Sequence, residues 1–178
     1  AIGPATARQI ADAIETSTAR QADALVLRID TPGGLVTSTR DIVSDILASD
    51  VPVAGYVWPG GGHAASAGTY IIYATGIAAM APGTNIGAAT PVQMSGGAMP
   101  GSPQKQPESD TGGKEGEGSP PSNEQALSNK ATNDAVALIV SLAETHGRNA
   151  EWAEAAVRDG ESIGAKKALD IGAVEILA

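Results

Sequence analysis

Two rhythms of apolar residues alternate along the first half of this chain. Between residues 6 and 19, Ile10, Ala13 and Ile14 recur at helical spacing behind Thr6, with Arg8, Gln9, Asp12 and Glu15 on the other side. That pattern predicts a surface helix capped by Thr6. Ala24 to Ile29 is a short apolar run broken only by Arg28, and it stops at Asp30-Thr31-Pro32-Gly33-Gly34, a turn that no helix crosses. A buried strand and a sharp loop are predicted there. Helical period returns from Val36 to Ala48 through Val36, Val43, Ile46 and Leu47, with Arg40, Asp41 and Asp45 outside. Pro52 to Val57 predicts the next strand, and Pro59-Gly60-Gly61-Gly62 leads from it into a helix whose first turn holds Ser66. Helix, strand and glycine turn, repeated in this order, predict an α/β domain with a parallel sheet and crossover helices. Both glycine turns then fall on one rim.

The second half changes character. Residues 77 to 80 and 85 to 89 read as short strands around Pro82-Gly83. From about 93 to 125 the chain is Gly, Pro, Ser, Lys and Glu with almost nothing to bury, which predicts a flexible polar insertion, or lid, within a single domain of residues 1–178. Ala135, Leu138, Ile139 and Leu142 mark the buried face of a helix from about Ser128 to Glu144, stopped by Gly147. A helix from about Asn149 to Arg158, a short one through Ala168-Leu169 and a strand at Val174 to Leu177 complete the reading.

Composition narrows the function. Hydrophobic residues make up 42% of the 178, but Phe is absent and aromatics are 3%, so the core is built from Ala, Val, Ile and Leu. The formal net charge is −9 with only 11 Lys and Arg, which argues against nucleic acid as a partner. There is no Cys, the two histidines stand far apart and no carboxylates cluster at ligand spacing, so no metal site is expected. No apolar stretch reaches the roughly 18 to 20 residues of a membrane span. The opening Ala1-Ile2-Gly3-Pro4 carries no initiator Met and predicts a piece of a longer protein.

The chemistry gathers at Gly-Gly-His-Ala-Ala-Ser-Ala-Gly-Thr-Tyr, residues 61 to 70. A serine at a helix start sits among free N–H groups and the positive end of the dipole, and small neighbours let a peptide backbone approach it. It is equally the place for a plain cap. A serine needs a base. His63 reads as a base on the same turn or as a surface residue at the pocket mouth, and His146 as a cap on its own helix end. Lys130 falls in the first turn of its expected helix, where the dipole and burial would both favour a neutral amine; the alternative is an ordinary exposed lysine. The N–H groups of Gly33-Gly34 and of Ala67 are candidate oxyanion donors, with a plain tight turn as the alternative reading of the glycines.

Five ordered blocks carry a resemblance: Asp30-Thr31-Pro32-Gly33-Gly34; Ala64 to Tyr70; Ala81-Pro82-Gly83-Thr84-Asn85-Ile86-Gly87-Ala88-Ala89; Lys130 with Asn133-Asp134-Ala135; and Ser141 to Glu144 with Gly147-Arg148-Asn149. Together they resemble the ClpP and crotonase superfamily, and most closely the NfeD-type membrane-associated serine proteases, relatives of signal peptide peptidase A. The resemblance implies a ClpP/crotonase-like superhelical ββα fold with a mostly parallel sheet. It implies an ATP-independent serine endopeptidase without a cofactor, in which Ser66 is the nucleophile, Lys130 the general base, and Gly34 and Ala67 the oxyanion donors. The implied substrate is a hydrophobic segment of a stomatin-like membrane partner, laid as an added strand near Gly33, Thr84, Asn85, Ile86 and Gly87. Further implications are a homodimer, membrane attachment through segments absent from this chain, and an extracytoplasmic protease domain. The departure from the pattern is the long polar stretch ahead of Lys130. Rival readings are a non-catalytic peptide-binding scaffold at the membrane and a crotonase-like acyl-thioester enzyme; the latter calls for a cationic nucleotide site, and the sequence shows no evident one.

Overall fold

The computed structural model describes residues 1–91 and 123–178. The expected insertion lies outside the described residues except at its C-terminal end, where 123–125 are already helical. In chain order the elements are α1 (Pro4–Ala19), β1 (Leu25–Ile29), α2 (Val36–Leu47), β2 (Val53–Val57), β3 (His63–Ala65), α3 (Ala67–Ala74), β4 (Ile77–Met80) and β5 (Asn85–Gly87). After them come α4 (Asn123–His146), α5 (Ala150–Arg158), β6 (Ser162–Gly164), α6 (Ala165–Asp170) and β7 (Ile176–Leu177).

β1, β2, β4 and β7 form a fully parallel sheet in that order, with Leu25 opposite Val53 and Ala54 opposite Ile77. Its inner face carries Ile29, Val53, Val57, Ala78 and Met80, all buried. A second sheet, β3-β5-β6, pairs β3 with β5 in parallel and β5 with β6 antiparallel. The mostly parallel α/β expectation holds. The expected passage from the Gly60–Gly62 turn straight into a helix is corrected: β3 intervenes, because Thr31 N–H donates to the His63 carbonyl (2.7 Å) and Ala65 N–H to the Thr31 carbonyl (3.0 Å). Two of its three residues are alanine, so neither branching nor alternation marks it as a strand in the sequence.

α3 is apolar all round, and all eight of its residues are buried, as a helix at the centre of a core must be. Its C-terminal carbonyls are satisfied from the end of α4. Arg148 donates to the carbonyls of Ile72 (2.9 Å), Tyr73 (3.0 Å) and Thr75 (2.8 Å), and its other N–H groups pair with Glu175. His146 Nε2 lies 3.1 Å from the Ala74 carbonyl. The expected capping by His146 of its own helix is therefore corrected: it serves the end of α3, and burial lowers its pKa. Thr6 likewise does not cap α1, which begins at Pro4 behind Gly3. Asn149 does cap α5, accepting from Trp152 N–H at 2.8 Å. Among the described residues, no helix is long and apolar enough to cross a membrane.

Candidate active site

Ser66 is the hinge between β3 and α3, one residue ahead of the helix rather than within its first turn. Its backbone stands at φ 51, ψ −113, a left-handed conformation that a residue with a Cβ adopts only when its surroundings impose it. Here they do. Ser66 N–H donates to the Gly87 carbonyl (2.9 Å), its own carbonyl accepts from Thr69 N–H (2.9 Å), and Thr69 Oγ1 donates to the same Gly87 carbonyl (2.9 Å). The side chain makes no capping hydrogen bond, so the plain-cap reading fails. What results is a half-buried hydroxyl held on a strained strand-to-helix elbow.

The Asp30–Gly34 turn lies against this elbow. A Cβ placed on Gly33 would stand 2.8 Å from Ser66 Cβ and 3.1 Å from Oγ, so only glycine fits there, and its φ is +123. Gly33 N–H is engaged by Thr31 Oγ1 at 3.2 Å. Gly34 differs. It forms a parallel bridge to Ile2 in which the partners are the Gly33 carbonyl (2.8 Å) and Leu35 N–H (3.0 Å), so the N–H and C=O of Gly34 itself point the other way. Among the described residues no acceptor takes the N–H of Gly34 or of Ala67. Two free backbone donors thus flank the serine.

An apolar cavity of about 120 Å³ opens here, lined by Gly34, Ser66, Ala67, Tyr70 and, from α4, Ala131 and Leu138. Tyr70 Oη donates to the Ala89 carbonyl (3.0 Å), and burial raises its pKa above the ordinary phenol value.

Lys130 stands on α4 next to Ala131, on an exposed position. Because α4 begins at Asn123 and not near Ser128, Lys130 lies about two turns in. The expected first-turn position and burial are both corrected; dipole effects fade within the first turn. His63 sits on β3, half-exposed, with its Nδ1 3.4 Å from Asp30 Oδ1 and its backbone N–H donating to the same oxygen (3.1 Å). It faces Asp30.

Thr84 to Gly87, expected to border a strand-receiving groove, lie on and just before β5. β5 is paired on both edges, by β3 and β6, and offers no free backbone to a further strand. Thr84 is buried, its Oγ1 donating to the Ala81 carbonyl (2.6 Å) and its carbonyl accepting from Ala165 N–H (3.0 Å). Gly87 holds the elbow from behind. Residues that sequence reasoning missed are Tyr70, Arg40 and Asp134, all on the cavity wall. Asp134 follows Lys130 by one helical turn, a spacing that was legible, whereas Arg40 read only as solvated.

A mixed α/β domain with a mostly parallel sheet, matching the 1510-N protease domain at TM-score 0.80, is a ClpP-like fold. The chain belongs to the NfeD1b N-terminal domain family, whose model matches residues 3–106. It is 38% identical over 157 residues to the membrane-bound protease PH1510 of Pyrococcus horikoshii, which covers 88% of this chain and 30% of that protein. The chain therefore spans less than a third of that relative. Two solved structures of the 1510-N membrane-bound stomatin-specific protease match with TM-score 0.80 each. One is a serine-to-alanine variant at 35% identity, covering 99% of this chain and 74% of that one. The other, a lysine-to-alanine variant in complex with a substrate peptide, is 36% identical and covers 99% and 70%.

Proposed function

We propose that this domain is an ATP-independent serine endopeptidase in which Ser66 and Lys130 form the catalytic dyad. The observation that carries the reading is the Ser66 hydroxyl, committed to no cap, on a strained elbow between two N–H groups that no acceptor takes among the described residues. The changed serine and lysine of the related 1510-N structures support it. Ser66 Oγ attacks the scissile carbonyl while Lys130 takes its proton. The N–H groups of Gly34 and Ala67 stabilise the oxyanion, each in the manner of a donor whose removal lowers turnover by about 10²-fold or more. Collapse of the tetrahedral species expels the amine, which receives the proton from Lys130, and water then hydrolyses the acyl ester.

The substrate is an apolar segment of a stomatin-like membrane partner, extended along the outward side of Gly34 with one side chain in the apolar cavity. The protease domain acts on the extracytoplasmic side. Ser66→Ala and Lys130→Ala are each expected to abolish cleavage of an apolar membrane-protein peptide, read by mass spectrometry, while melting cooperatively. A fluorophosphonate probe labels wild type at Ser66. Cleavage that survives either substitution removes the dyad, and no labelling together with no cleavage leaves a strand-binding scaffold.

A further inference from the structure

The cavity beside Ser66 carries one feature that catalysis at the serine does not use. Val36 of α2, Tyr70 of α3 and Ala135 and Leu138 of α4 make its wall apolar, yet Arg40 and Asp134 stand in the same wall. They come from different helices, 94 positions apart, and the Arg40 Nη2 donates to Asp134 Oδ2. Their side chains are 43% and 67% exposed, which places the pair at the rim. So open a pair adds little to folding stability. Its effect is on the space it borders. Both charges are felt at the Tyr70 phenol inside the cavity, Arg40 pulling its pKa down and Asp134 pushing it up, so their fields oppose each other there.

We propose that Arg40 and Asp134 are specificity-determining residues: by neutralising each other they leave the pocket selective for an uncharged apolar side chain, and loss of either charge makes it select the opposite one. The inference rests on the endopeptidase reading above. Arg40→Gln leaves a carboxylate at an apolar mouth, which attracts a lysine or arginine side chain of the substrate. Asp134→Asn leaves a guanidinium, which attracts glutamate.

The test uses peptides that differ only in Leu, Lys or Glu, placed in turn at the positions flanking the scissile bond. Arg40→Gln is expected to raise kcat/KM for the Lys peptide relative to the Leu peptide by about two- to fivefold, the range of an exposed charge pair. Asp134→Asn should do the same for Glu. The double variant Arg40→Gln/Asp134→Asn should favour neither charge and the swapped pair Arg40→Asp/Asp134→Arg should keep the wild-type order; the opposite charge preferences of the two single variants are what an ordinary tie between helices does not predict. An unchanged order of peptides in both single variants overturns the inference, as does an equal loss on every peptide in variants that still melt like wild type. If one single variant fails to fold, the other decides: a preference for the charge opposite to the one left unpaired supports the inference, and an unchanged order overturns it. A wild type that cleaves none of the peptides and takes up no fluorophosphonate defeats the endopeptidase reading and this inference with it; failure of this inference alone shows only in the variants.

Discussion

Replacing Gly33 by alanine tests whether the elbow is held for chemistry. The new Cβ would lie 2.8 Å from Ser66 Cβ and 3.1 Å from Oγ. Ordinary carbon–carbon contact is about 3.5 to 4.0 Å, so the overlap is roughly 1 Å. Ser66 has no easy retreat, since its N–H is bonded to Gly87 and the preceding Ala65 N–H to Thr31. The movement is therefore shared by Ser66 and the glycine turn that carries the Gly34 N–H. A displacement of about 1 Å between reacting groups lowers turnover about 10²-fold. The alanine also takes on a φ of +123, with a strain of order 1 to 3 kcal/mol. Gly61→Ala separates the two effects: its φ is +86, but nothing stands within 4 Å of the new Cβ. Both variants should melt lower than wild type by a few degrees, at about 2 to 4 °C per kcal/mol for a chain of this size. Only Gly33→Ala should lose peptide cleavage and fluorophosphonate labelling by about two orders of magnitude. Gly33→Ala with wild-type labelling, or Gly61→Ala with an equal loss, would refute the reasoning.

Two further predictions concern the anchor behind the site. Arg148 is fully buried as a side chain and serves three carbonyls and Glu175, so Arg148→Met should lower stability by about 3 kcal/mol in urea unfolding, and a loss below about 1 kcal/mol would mean that water replaces it. Burial lowers the His146 pKa in the folded state, so the unfolded chain takes up the proton first as pH falls through about 6.5. The contribution of the neutral ring is present above that pH and declines below it; His146→Gln should flatten the difference in stability between pH 7.5 and pH 5.5, and an unaltered difference would remove the linkage.

The legible parts of this fold are those where one element announces itself locally. β1, β2 and β4 are apolar runs closed by Pro or Gly, and α2 repeats its apolar residues at helical period, so their ends were placed within a residue or so. β3 was illegible because its backbone partners, Thr31 and β5, decide it, and alanine side chains carry no strand signal. The start of α4 was hidden for a different reason. Residues 125 to 130 are all exposed, so no apolar period marks the helix until Ala131 begins to line the cavity. That single displacement moved Lys130 from an expected buried first turn to an exposed later one. Ser66 and the two glycines were visible as a motif, but the engagement of Gly33 N–H and the freedom of Gly34 N–H depend on Thr31 and Ile2, which no spacing reveals.

The pairing of β5 bears on where a peptide can lie. A strand added to a sheet needs an unpaired backbone edge, and β5 has none, being the middle strand of three. The turn at Gly34 has one, because its bridge to Ile2 uses the groups of its neighbours and leaves its own on the side away from Ile2, and Gly34 lines the cavity. On the proposed reading a peptide bonded there runs through the cavity that Gly34, Ser66, Ala131 and Leu138 line. α4 lines the cavity through Ala131, Asp134, Ala135 and Leu138, and Lys130, next to Ala131, stands exposed on the same helix. An ammonium in open water cannot take the serine proton, so on the proposed reading it is the bound peptide that excludes water from Lys130, with α4 held across the groove by Arg158 of α5, which donates to Asn133 at 3.2 Å.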